Sequence, residues 1–157
     1  MRAAYCNCAV CCGRWAGGPT ASGKMPVQGR TIATGVLPFG TKLNIGGNIR
    51  CFLKLAGTDF QPDFRGKILL LEAMGGGVPQ MVTFLSQLKM MHAFEQINGI
   101  LLGTFSQMER DQLTPDMPQL VHQAAGPDLP IARTPYIGHG TDAHAAVIGK
   151  FYQISSD

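Results

Sequence analysis

Two short apolar runs, Ile68–Leu71 and the string GILLG at Gly99–Gly103, flank a segment with helical period, Val78–Met91. An apolar run of that length beside glycine suits a buried strand. Val78, Met81, Val82, Leu85, Leu88 and Met91 recur at helical spacing and would turn one face inward. A chain that alternates in this way belongs to the α/β class. Flanking segments extend the pattern. Asn48 predicts an N-cap for a helix on which Ile49, Phe52, Leu53 and Ala56 share a face, with Gly57 as the stop. Asp116–Ala125 predicts another helix, with Pro118 in its first turn. Pro130–Arg133 and Ala145–Phe151 read as closing strands. With 157 residues there is room for about one domain.

The front of the chain has a different character. Residues 1–46 carry five basic residues and no acid, whereas all ten acids lie after residue 46. Glycine and proline recur every few positions there, which breaks helices and leaves β-prone runs at Arg30–Thr34 and Thr41–Ile45. Two pieces are expected, 1–46 and 47–157. No apolar run nears the ~18 residues of a membrane span, and the start lacks the apolar core of a secretory signal. A soluble cytoplasmic protein is the expectation, with no membrane partner. The basic front has few interleaved aromatics, which argues against nucleic-acid binding.

Several residues are chemistry candidates. Cys6, Cys8, Cys11 and Cys12 lie close enough to hold a tetrahedral metal. The alternative is reduced thiols, favoured by the lack of a second cysteine pair or a nearby histidine. No metal site or cofactor is therefore expected. Glu72 ends the run KILLLE and places a carboxylate at the C-terminal edge of a buried strand, where ligand sites of open α/β sheets lie. A strand-end glutamate reaching solvent is the competing reading. His139 sits between glycines in PYIGHGTDAH, as a loop general base or a surface histidine. Asp142 and His144 follow too closely, in a glycine-containing loop, for a convincing metal motif. His92 and His122 fall on predicted helix faces as structural or solvated residues. Ser22, Ser86 and Ser106 lack the context of an activated nucleophile. The stripe Met81, Phe84, Met90, Met91 and Phe94 reads as core or subunit contact.

The strings GGNIRCFLKLAGTDFQPDFRGKILLLEAMGG, MVTFLSQLKMMHAFEQINGILLGTF and IGHGTDAHAAVIG, in this order, resemble the C-terminal domain of bacterial L,D-carboxypeptidases. These are serine peptidases that remove the terminal D-Ala of murein tetrapeptides in peptidoglycan recycling. The resemblance implies that His139 is the general base, that Glu72 orients it, and that the protein is a homodimer. It also implies a nucleophilic serine in a G-x-S-D turn of a preceding domain, a turn that this chain lacks. Ala73 stands where the family usually has an acid, and Val82-Thr83 where it usually has Asp-Arg.

Residues 1–46 resemble something else. The strings AYCNCAVCCG, TASG, GRTIA and PFGT are similar to the start of the three-aspartate (3D) domain, a double-psi β-barrel of lytic transglycosylases and related wall proteins. The aspartates of that domain have no counterpart in this acid-free stretch. The expected architecture is thus an α/β domain of the swivelling type over 47–157 behind a small β-rich appendage, half of a double-psi β-barrel. The expected activity is that of a murein tetrapeptide L,D-carboxypeptidase, inactive in isolation for want of a serine. The alternatives are a muropeptide-binding module without turnover and a remnant of a transglycosylase-like protein. A fusion of two wall-enzyme fragments meeting near Ile45-Gly46-Gly47 would account for both resemblances.

Overall fold

A computed structural model describes residues 42–151. The candidate residues Cys6, Cys8, Cys11, Cys12 and Ser22 and the 3D-like strings lie outside the described residues. Among the described residues, five strands form one sheet: β1 (Lys42–Asn48), β2 (Lys67–Ala73), β3 (Gly99–Phe105), β4 (Ile131–Arg133) and β5 (Lys150–Phe151). Their order is β4-β3-β2-β1-β5. The first four run parallel and β5 pairs antiparallel with β1. Helices α1 (Ile49–Leu53), α2 (Val78–Met90), α3 (Ser106–Arg110) and α4 (Met117–Ala125) connect them. Strand β1 crosses the point between residues 46 and 47 where the charge pattern divides the chain.

The local reasons for these elements are in the sequence. Asn48 caps α1, its side chain accepting from Cys51 N at 3.2 Å. Asp116 and Gln119 form a reciprocal capping box at the start of α4, where Pro118 needs no N–H partner. Pro79 plays the same part at the start of α2. The helix expected from Asn48 ends at Leu53, and successive turns carry the chain on to Gly57.

Alternation along the strands splits the core between two faces of the sheet. Leu69, Leu71, Ile100 and Leu102 point to one face and are covered by Ile49 and Phe52 of α1, Met81, Leu85 and Leu88 of α2, and Leu120 and Val121 of α4. Each such buried side chain stabilises the fold by roughly 1.5–3 kcal/mol. Ile68, Leu70, Leu101 and Ala132 point the other way, under Ile137 with Ala146 and Val147. That second face is roofed by irregular chain, where a longer strand over Ala145–Phe151 was expected. Only Lys150–Phe151 pairs. Val82, expected inward, is 43% exposed. Met81, Leu85 and Leu88 already define the buried stripe of α2, and the next residue along turns away by about 100°. Within the methionine-rich stripe, Met81 and Phe94 are core, Phe84 and Met91 pack against it, and Met90 is exposed. His92 lies just past α2 and His122 in the last turn of α4, both exposed.

Candidate active site

Glu72 is the next-to-last residue of β2, level with Asn48 at the end of β1. It shares the face of Ile68 and Leu70, and is 8% exposed. A carboxylate so buried needs a partner. The partner comes from the loop after β4, where His139 Nε2 lies 3.1 Å from Glu72 Oε2. The approach is close but not aligned as a hydrogen bond, and among the described residues no other group satisfies that oxygen. Catalytic hydrogen bonds commonly tighten only once substrate is bound. The imidazole is 42% exposed. One edge of the ring therefore meets a buried carboxylate while the other faces outward.

The backbone explains how the loop arrives there. Thr134 N–H donates to Leu102 O at 2.8 Å, extending the β3–β4 ladder. Ile137 then buries its side chain on the second face and presents its carbonyl to Thr104 N–H at 2.7 Å. This close approach depends on Gly103, where a Cβ would collide with the Ile137 oxygen and press on Glu72 Cβ at 3.0 Å. Gly138 follows with φ +139°, a conformation that side chains disfavour. Its glycine flank also leaves space for the Thr104 hydroxyl. At the neck of the loop, Tyr136 and His144 stack with ring centroids 4.9 Å apart, and His144 N–H donates to Tyr136 O. His144 is thus engaged in closing the loop. Among the described residues, no three His, Cys, Asp or Glu side chains gather as a metal site.

The wall beside Glu72 is tied down as well. Gln107 N–H donates to Met74 O at 3.1 Å, and Gly76 N–H donates to Gln107 Oε1 at 2.7 Å. Sequence reasoning singled out Glu72 and His139, and the fold brings them together. It missed Thr104 and Gln107, which carried no signal beyond their place after an apolar run. Ser86 lies exposed on α2 and Ser106 opens α3, so neither pairs with His139.

Residues 43–154 match the family described as the LD-carboxypeptidase C-terminal domain. The chain belongs to this family. Among solved structures it is similar to the wild-type apo form of the microcin C7 self-immunity protein MccF, with TM-score 0.55 and 20% identity over 68% of this chain and 33% of that one. MccF in complex with glutamyl sulfamoyl guanosine gives TM-score 0.55 and 17% identity over 76% and 38% of the two chains. A muramoyltetrapeptide carboxypeptidase from Oxalobacter formigenes gives TM-score 0.55 and 22% identity, covering 71% of this chain and 41% of that one. At such identities the likeness is one of fold. The chain spans between a third and two fifths of the length of these structures. No curated protein matches the chain. Among the described residues, no helix is long and apolar enough to cross a membrane.

Proposed function

We propose that this chain supplies the base and orienting carboxylate of a serine-type L,D-carboxypeptidase acting on murein tetrapeptide. The observation that carries the reading is the 3.1 Å approach of His139 Nε2 to the buried Glu72 carboxylate at the C-terminal sheet edge. With Nε2 turned to Glu72, the outward Nδ1 is the nitrogen available to take a proton from a serine hydroxyl. The serine oxygen then attacks the carbonyl before the terminal D-Ala, and the imidazolium returns the proton to the leaving amine. Glu72 holds the tautomer and stabilises the charged ring. The serine comes from outside the residues described, as a separate segment or chain.

The purified chain is predicted not to release D-Ala from murein tetrapeptide. Supplying a serine-bearing half of a carboxypeptidase in trans is predicted to restore release, and His139→Ala to reduce it by on the order of 10³ or more. Release by the chain unaided, lost in His139→Ala, would overturn the inactivity. Unchanged release after His139→Ala in the complemented system would overturn the assignment of the base. A muropeptide-binding module without turnover is the second reading, favoured by the exposed imidazole and the lack of a paired serine among the described residues. Calorimetry with the tetrapeptide distinguishes it, as binding heat without D-Ala. The 3D-like character of residues 1–46, a cytoplasmic location and homodimerisation accompany this reading as proposals.

A further inference from the structure

The pairing of β2 with β3 is irregular at one place. Leu71 is level with Leu102 and Ala73 with Phe105, so Glu72 on β2 faces two residues, Gly103 and Thr104, on β3. An extra residue in one strand bends it and redirects its side chains, a device that recurs beside active sites. Here it releases Thr104 from the ladder at the level of Glu72. Thr104 N–H donates to Ile137 O at 2.7 Å, and Thr104 Oγ1 accepts a long hydrogen bond from His139 N–H at 3.4 Å. The residues on either side of Gly138 are therefore both held by one threonine, and Gly138 leaves room for its hydroxyl.

We propose that Thr104 is a positioning residue, which through this two-point grip sets His139 against Glu72. The proposal rests on the reading of Glu72 and His139 as a working pair and adds the element that seats the histidine. Thr104 acts through the backbone of His139 and has no role in proton transfer. The hydroxyl and the backbone N–H contribute separately. Thr104→Val removes the acceptor while retaining shape, Thr104→Ser restores the hydroxyl, and Thr104→Ala removes both the acceptor and the branched bulk.

The test is proton NMR of the full 15N-labelled chain, following the imidazole Nε2–H signal of His139 at a pH where the ring is neutral. In the parent, the carboxylate 3.1 Å away, even off the hydrogen-bond line in the free chain, should slow exchange of this proton enough at low temperature to give a downfield signal. Thr104→Val and Thr104→Ala are expected to lose it through exchange with water, with core amide signals unchanged, and Thr104→Ser to keep it. Retention of the signal in either Val or Ala variant, whichever is folded, would overturn the role of Thr104. Its absence from the parent, or its persistence unchanged in Glu72→Ala, which leaves no acceptor, would instead overturn the Glu72–His139 pair and this role with it. A complemented parent that releases no D-Ala while its Nε2–H signal is present and responds to Thr104 as expected overturns the carboxypeptidase reading alone. In the complemented assay, Thr104→Val should lower kcat by up to ~10²-fold and leave KM unchanged.

Discussion

Strand β2 has a charged cluster at each end, and the two are built differently. At its N-terminal end, Asp63 accepts from Arg65 Nε at 2.9 Å and from Arg65 N at 3.1 Å, while Lys67 Nζ approaches to 3.4 Å. Every partner is a sequence neighbour, Asp63 and Arg65 are exposed with Lys67 half-buried, and the carboxylate is amply bonded. At the C-terminal end, Glu72 is buried, meets one imidazole from a distant loop, and has one oxygen without a hydrogen bond among the described residues. An acid placed for stability would be arranged like Asp63. Glu72 has the opposite arrangement, a desolvated carboxylate whose remaining capacity suits a ring that becomes charged during reaction. Polar groups left under-satisfied at the ligand-binding edge of an α/β sheet point to chemistry.

Gly103→Ala should produce the largest separation of the two ends. The new methyl would collide with the Ile137 carbonyl and crowd Glu72, displacing the His139 loop. Overpacking of this kind costs about 1–3 kcal/mol. Urea unfolding should show that loss, and the His139 signals should move while those of Asp63 and Arg65 stay in place. Unmoved His139 signals would mean that the loop does not depend on the glycine. Glu72→Gln should have a smaller effect of the opposite sign. Removing a buried charge with one misaligned partner is expected to raise stability by about 1 kcal/mol, while abolishing any complemented peptidase activity. A clear loss of stability would show that the carboxylate is held for structural reasons.

The contrast also explains what could be read from the sequence. The α2 stripe, the Asn48 cap, the helix over Asp116–Ala125 and the two buried runs are local patterns, and the structure reproduces them to within a residue or two. Glu72 could be placed at a strand end from KILLLE alone. Its pairing with His139 could not, because that contact joins distant segments and was supplied by family resemblance. The bulge at Gly103–Thr104 was less legible still. GILLG reads as a strand over Gly99–Gly103, whereas β3 runs on to Phe105, and its extra residue becomes visible only when β3 is laid against β2. Val82 was misplaced for a related reason: an amphipathic pattern wider than the contact leaves its margin undetermined. The long strand expected at Ala145–Phe151 failed because apolar residues there roof the second face without joining the ladder.

The smallest predicted effect belongs to the other end of β2. The hydrogen bonds from Arg65, first from its side chain and then its backbone, lower the Asp63 pKa from 3.8 to about 2. A carboxyl whose folded-state pKa is depressed contributes stability above its unfolded value and loses it as pH falls through the folded one. Because the group is exposed, that contribution is screened by water and salt. Asp63→Asn should therefore lower the urea midpoint slightly at pH 7, and the difference from the parent should shrink as pH falls below 4 towards 2. High salt should shrink it at every pH. A gap that stays constant from pH 7 to pH 3 would mean that Asp63 acts through its turn geometry, and the charged half of the comparison would then rest on Glu72 alone.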